Sequence, residues 1–154
     1  MVDGAIQAQI ETLAEIPNRV EDLIRRGEAR KTSGASEGWT PAQIVGHLCD
    51  SARILGGRMF RVVYEDNPTL HPFDENEMVQ MGAYQYRALP ELMATFRLLS
   101  EGNVALLRSV SPDAWARTGV HTVLGTVTLR DILDRSVTHE TGHVRQLAET
   151  LGIA

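Results

Sequence analysis

Residues 40–62 read TPAQIVGHLCDSARILGGRMFRV, and this stretch decides the fold class. Thr40 precedes Pro41, and Gln43 follows three residues after the threonine, which is the pattern of a helix that begins with a capping box. Apolar side chains then recur every three or four residues, the spacing of one face of an α-helix. The same face carries His47. The stretch therefore predicts a long amphipathic helix with an imidazole on its buried face.

Three further segments show helical periodicity. Residues 6–24 form the first, with Pro17 inside as a predicted kink, and a polar stretch follows from residue 27 to residue 38. Residues 90–110 form the second, with a weak point near its middle at a Gly-Asn pair. Residues 129–151 form the third, after Thr128 as a predicted N-cap.

The connectors carry weaker patterns. Residues 70–89 are irregular apart from a short helix that we expect from Asp74 onward. Residues 120–127 alternate only loosely and include Gly125, which indicates an extended loop. Four long helices with few strand signals predict an all-α fold, a four-helix bundle forming one domain over residues 1–154.

Composition excludes several classes of function. The chain has 154 residues, with 15 basic and 20 acidic side chains and a net charge of −5, so nucleic acid is not the expected partner. No apolar run approaches the roughly 18 residues of a membrane span. The N-terminal residues lack a signal-peptide pattern, and the single cysteine, Cys49, cannot form an internal disulfide. A cytoplasmic protein is expected.

The predicted last helix contains the sequence HETGH at residues 139–143, which matches the pattern H-E-x-x-H. A chain of this composition would contain that pattern by chance about 0.01 times. Because residues i and i+4 share a helix face, His139 and His143 can reach one metal ion. In a zinc peptidase Glu140 would be the general base, but such enzymes take a further ligand from downstream. Eleven residues follow His143, so we expect the third ligand from upstream.

His47 is the best upstream candidate. An unpaired imidazole on the buried face of its helix would be costly. Three imidazoles around a divalent ion, with one position open to water, are typical of a catalytic site. His71 and His121 are interpreted as ordinary polar residues.

Two parts of the chain resemble the DinB/YfiT-like family. One is GWTPAQIVGHLCD at residues 38–50. The other is a set of positions in the C-terminal half: Trp115, Arg117, His121, Gly125, Thr128, Leu129, His139, His143, Gln146 and Leu147. The resemblance implies a four-helix bundle that binds one divalent ion, zinc or nickel, through His47, His139 and His143. Family members with assigned roles include transferases and isomerases that use bacillithiol, mycothiol or glutathione.

Four other charged residues are candidates for the site. Asp50 lies one turn after the histidine of the second helix, so it would either orient that ligand or be a solvated helix charge. Glu140 is a catalytic candidate, but it points about 100° away from its histidine neighbour, which favours an ion pair or a surface position. Arg58 and Arg61 would bind an anionic thiol cofactor or lie on the exposed face.

Two classes of function follow from the sequence. The first is a metalloenzyme, with thiol-dependent S-transfer as the favoured reaction and metal-dependent hydrolysis next, acting on a small-molecule thiol or electrophile. The alternative is a non-catalytic metal-binding or stress-associated scaffold. Apolar residues on more than one face of the last helix, together with the resemblance, predict a homodimer. These residues are Ile132, Leu133, Val137, Val144 and Leu151.

Overall fold

Long helices supply most of the secondary structure in the computed structural model, which describes residues 3–30 and 38–153. The α-helices are α1 (Gly4–Arg30), α2 (Pro41–Tyr64), α3 (Glu75–Gly82), α4 (Leu89–Ser109) and α5 (Leu129–Thr150). Short 3₁₀ helices cover Tyr84–Tyr86 and Pro112–Ala116. The strands are β1 (Thr69–Leu70), β2 (Thr118–His121) and β3 (Gly125–Thr128). The predicted all-α class is confirmed, with a small sheet added to the helices.

The starts of the helices follow the sequence signals closely. At α2 the Thr40 hydroxyl accepts a hydrogen bond from Gln43 N, and the Gln43 side chain accepts one from Thr40 N, which completes the predicted capping box. At α5 Thr128 and Asp131 make the same reciprocal pair. Asp74 caps α3 where the short helix was expected. These caps satisfy N–H groups that a helix leaves without internal partners.

The four long helices pack in an order that differs from their order in the chain. Both α1 and α2 pack against α4 and α5, so consecutive helices α1 and α2 lie across the diagonal of the bundle. The largest fully buried side chains fill the space between them: Ile10, Leu13, Ile16, Ile44, Leu48, Met59, Leu70, Leu92, Phe96, Leu107, Leu129 and Leu133. This arrangement places the buried face of α2 directly against α5.

The segment expected to be an extended loop, residues 120–127, belongs to a β-hairpin instead. Strands β2 and β3 pair antiparallel, and β1 adds to β2 in parallel. Gly125 follows the turn with φ +78°, a conformation that glycine adopts without strain. The prediction was wrong because pairing with β1, some fifty residues earlier, stabilises strands too short to show a clear alternation.

One helix boundary differs from expectation, and the structure explains the weak point predicted inside another helix. Helix α1 continues through Pro17 to Arg30, so the polar stretch predicted from residue 27 begins inside the helix, and residues 31–37 lie outside the described residues. Helix α4 continues through the Gly-Asn pair that looked weak in the sequence. There Asn103 Nδ2 donates a hydrogen bond to the carbonyl of Ala52, 2.9 Å away on α2. The weak point is therefore a contact between helices.

The apolar residues of α5 that suggested a homodimer pack into the core of their own chain. Ile132, Leu133, Val144 and Leu151 are buried, and Val137 packs against the same core. They offer no surface for a second copy, so this basis for the dimer is wrong. None of the helices in the described part of the chain is long and apolar enough to cross a membrane.

Two adjacent glycines of α2 provide a matched test of the packing between α2 and α4. A Cβ at Gly56 would overlap the Asn103 side chain, whereas a Cβ at Gly57 meets nothing within 4 Å. We expect Gly56→Ala to lower the free energy of unfolding by about 1–3 kcal/mol through overpacking. Gly57→Ala should raise it by roughly 0.5–1 kcal/mol, because alanine has the higher helix propensity. Urea unfolding of both variants measures the difference, and equal effects would contradict the described packing.

Candidate metal centre

Three histidines from two helices converge between α2 and α5. His139 and His143 lie one turn apart on α5, and His47 faces them from α2. His47 Nε2 is 2.9 Å from His139 Nε2. The ring centroid of His143 lies 4.4 Å from that of His47 and 4.5 Å from that of His139. The structure thus brings together the three histidines that the sequence singled out.

A fourth side chain, Glu75, joins this cluster and was missed in the sequence. Its Oε2 lies 3.4 Å from His47 Nε2 and 4.0 Å from His143 Nε2. One ligand atom from each of the four residues lies within 4.8 Å of the others. Glu75 is the first residue of α3, and the cap at Asp74 was visible in the sequence. The packing of α3 against α2 was not, and that packing brings the carboxylate to the imidazoles.

The electrostatics of the cluster favour neutral imidazoles. Burial lowers the pKa of His47 to about 3, with smaller contributions from His143 and His139. Burial also lowers the pKa of His139 to about 4, with a contribution from His143. Both rings are therefore neutral at pH 7, the form that binds metal. Imidazole nitrogens and one carboxylate oxygen suit zinc, nickel and similar divalent ions, so these residues fit the ion that the resemblance implies.

Two neighbouring side chains hold the imidazoles in place. The Trp39 ring stacks on His143, with centroids 5.9 Å apart and planes 15° apart, and lies 5.1 Å from the His47 ring. His143 Nδ1 is 2.7 Å from Gln146 Oε1, which accepts its hydrogen bond. With the proton on Nδ1, the lone pair of His143 Nε2 is available to a metal ion.

This hydrogen bond gives a prediction for Gln146. We expect Gln146→Ala to weaken zinc affinity by about 10-fold, because His143 loses the acceptor that fixes its tautomer. Gln146→Glu keeps a hydrogen-bond acceptor on a side chain of the same length. This variant should bind zinc at least as tightly as the native protein. Competition with a chromophoric chelator measures both affinities. Equal affinity in the alanine variant and the native protein would show that Gln146 has no orienting role.

Asp50 does not contact the histidine cluster. Its carboxylate is buried and accepts a hydrogen bond from the Tyr84 hydroxyl at 2.7 Å. It also pairs with Arg53 at 3.2 Å. It is therefore neither the orienting partner of His47 nor a solvated helix charge, and both predictions were wrong. The bond with Tyr84 instead links α2 to the segment that follows α3.

Glu140 occupies the buried face of α5, where only 2% of its surface is exposed. The expectation of an ion pair or a surface position was wrong, since no salt bridge involves it among the described residues. Its Oε2 has no hydrogen-bond partner in that part of the chain. Burial raises the pKa of this carboxyl to about 8. Glu140 is one step along the helix from His139, yet it faces the core.

The two arginine candidates have different surroundings. Arg61 pairs with Glu65 at 2.7 Å and donates to the carbonyl of Thr69, contacts that hold the end of α2. Arg58 lines a cavity of about 710 Å³, and His139 lies in the wall of the same cavity. Arg58 is therefore the candidate that lies near the metal centre.

The remaining histidines have other contacts. The buried His121 accepts hydrogen bonds at Nδ1 from the backbone N–H groups of the hairpin turn, at 3.2 and 3.3 Å. The side chain of His71 is exposed, and its carbonyl accepts a hydrogen bond from Arg58. Neither belongs to the group of four possible metal ligands.

Comparison with known proteins agrees with this architecture. A protein of Oceanobacillus iheyensis named "Putative metal-dependent hydrolase" is 31% identical over 122 residues, covering 73% of this chain and 70% of the relative. A Bacillus pumilus protein with the same name is 26% identical over 152 residues, covering 95% of this chain and 85% of the relative.

The solved structure of YfiT from Bacillus subtilis has the same fold. It is described as "a probable metal-dependent hydrolase with an unusual four-helix bundle topology". It superposes with a TM-score of 0.83 at 22% identity, covering all of this chain and 92% of the other. The family model described as DinB superfamily matches residues 5–147. The chain therefore belongs to the DinB superfamily.

Proposed function

We propose that this protein is a divalent-metal-dependent hydrolase, in which His47, His139 and His143 hold the ion and Glu75 completes the donor set. The observation that carries the proposal is the convergence of these four side chains beside an open cavity. The relatives named as metal-dependent hydrolases support the same reaction class.

The residues of such a site have different roles. Buried His47 and half-buried His139 are neutral at pH 7, so each has one ring nitrogen whose lone pair can bind metal. Glu75 is the most exposed donor, with 44% of its side chain accessible, so the site opens toward solvent on its side. When bound, a divalent ion supplies Lewis-acid chemistry, lowering the pKa of a nucleophile and polarising a substrate oxygen. Trp39 stacks on the His143 ring and so helps to fix its orientation.

Metal-dependent turnover tests the proposal. Chelator-treated protein would be reloaded with zinc, nickel or cobalt and assayed on panels of carboxylic esters, amides and phosphoesters. We expect hydrolysis of one class that appears only with metal and is lost in His139→Ala. Equal activity in chelated and loaded protein would contradict the proposal. If the protein binds about one metal ion per chain but hydrolyses no substrate of any panel, the non-catalytic scaffold is favoured.

Transfer of a thiol to an electrophile is the second candidate. The favourable observation is that Arg58, the residue expected to bind an anionic thiol, lines the cavity that reaches His139. Cobalt-loaded protein would be titrated with bacillithiol, a mycothiol analogue, glutathione and cysteine. A new thiolate-to-cobalt charge-transfer band with one thiol, absent in His47→Ala, would favour transfer. No spectral change with any thiol would leave hydrolysis as the reaction.

A further inference from the structure

The cavity next to the metal centre combines charged and apolar walls. It has a volume of about 710 Å³, which is large enough for a small organic molecule. His139 lies in its wall, so a molecule bound in the cavity reaches the metal centre. Arg58 contributes from α2 and Arg135 from α5. Phe73 and Leu124 are among its apolar residues.

The two arginines have no ion-pair partner in the described part of the chain. Neither Arg58 nor Arg135 has a carboxylate oxygen within 4 Å among residues 3–30 and 38–153. The Arg58 pKa is lowered by burial and by the charge of Arg135, which places the two cations in each other's field. The pKa of nearby His121 is lowered by burial and then by these same two arginines. In the described part of the chain, the cavity wall thus carries two guanidinium groups with no carboxylate at ion-pair distance, and two carboxylates, Asp131 and Asp134, lie in the same wall.

The two carboxylates in the same wall make their own hydrogen bonds. Asp131 accepts bonds from the N–H and hydroxyl of Thr128 at 2.8 and 2.7 Å, which form the cap of α5. Asp134 accepts a bond from the Gln9 side chain on α1. The Thr128 hydrogen bonds lower the pKa of Asp131 most, and the charge of Arg135 lowers it further without a direct ion pair.

Arg58 is held in a fixed position. Its Nη2 donates to the carbonyl of His71, and its guanidinium carbon lies 5.4 Å from the centroid of the Phe73 ring. Stacking on an aromatic ring and a backbone bond both restrict the planar group. A guanidinium held in this way loses little further freedom when it binds an oxyanion.

We infer that this cavity binds the carboxylate or phosphate group of the substrate through Arg58 and Arg135, and that its apolar wall receives an uncharged part of the same molecule. The inference rests on the proposed function, because it places the reacting bond at His139. It narrows the substrate class to small amphiphilic oxyanions. Guanidinium groups recognise such oxyanions through charge-assisted hydrogen bonds.

Anion binding to the metal-free full-length protein tests the inference without requiring turnover. Inorganic phosphate, phenyl phosphate and benzoate would be titrated by calorimetry at pH 7.5, with side-chain N–H signals of arginine followed by NMR. We expect saturable binding of phenyl phosphate, benzoate or both, tighter for phenyl phosphate than for inorganic phosphate because of the apolar wall. The favoured probe identifies the oxyanion.

Matched variants locate the site. Arg135→Gln should weaken binding by about 10-fold, as expected for a lost charge-assisted contact. Arg19→Gln removes the same charge from an exposed position on α1 outside the cavity and should change affinity by less than about twofold. Arg58→Lys keeps the charge but not the planar group, so it should weaken binding without unfolding the protein.

The outcomes separate this inference from the proposed function. Equal effects of Arg135→Gln and Arg19→Gln, or no saturable binding of any probe, would overturn the inference even if the loaded protein hydrolyses a substrate. Anion binding that depends on Arg135 would support the inference even if the loaded protein shows no hydrolysis.

Discussion

His143→Ala is expected to lower zinc and nickel affinity by more than about 100-fold, a larger loss than removal of an outer hydrogen bond causes. The ring supplies one of three imidazoles that converge within a few ångströms, and no other histidine of the described residues joins the cluster. Metal analysis after dialysis against a metal–chelator buffer, with free metal about tenfold above the native dissociation constant, should show about one ion per native chain and almost none in the variant.

His71→Ala is the control for this variant. It also removes an imidazole, but from an exposed residue outside the cluster. Its metal content should equal that of the native protein. Equal metal content in the His143 variant and the native protein would show that the ion binds elsewhere or not at all.

Glu140→Gln is expected to stabilise the metal-free protein at pH 8 by a few kcal/mol. Burial raises the pKa of this carboxyl from its ordinary 4.5 to about 8, so the folded state keeps a proton that the unfolded state releases. Its contribution to stability is complete below pH 4.5 and is lost as the pH rises from 4.5 to 8. Each unit of pKa difference corresponds to roughly 1.4 kcal/mol. Glutamine cannot ionise and avoids this loss.

Urea unfolding at pH 5 and pH 8 measures this effect as the difference between variant and native protein. The difference should be small at pH 5 and favour the variant at pH 8. Titration of His47 and His139 occurs in both proteins and cancels. Glu149→Gln, an exposed acidic residue on the same helix, should show no such change. A Glu140 variant less stable than the native protein at pH 8 would contradict the assignment of Glu140 as a buried, protonated carboxyl.

The helical part of the fold was predictable because its signals are local. The cap at Thr40 and the cap at Thr128 fix where two long helices begin, and apolar periodicity identifies their buried faces. The hairpin was not predictable in the same way. Its strands have four residues each, and the first strand of the sheet has two. Pairing between distant segments, rather than local propensity, stabilises them.

In the candidate site too, residues with a local sequence signal were predictable, and a residue placed by packing between distant segments was not. His139 and His143 were linked by their spacing on one helix, and His47 by its place on a buried face. Glu75 carried no such signal, since its proximity to the histidines depends on how α3 packs against α2. The prediction for Glu140 was wrong because its angle of about 100° from His139 shows only that the two side chains lie on different faces of the helix. The angle does not show whether the Glu140 face is buried. In this bundle that face packs into the core.

X-ray absorption spectroscopy of the zinc-loaded protein tests the central claim most directly. A site built from His47, His139, His143 and Glu75 predicts only nitrogen and oxygen neighbours at about 2.0–2.2 Å, with the multiple-scattering pattern of three imidazoles. His47→Ala should remove one imidazole from that pattern or abolish zinc binding. A sulfur neighbour near ~2.3 Å, or a spectrum with no imidazole contribution, would contradict the assignment of this cluster as the metal centre.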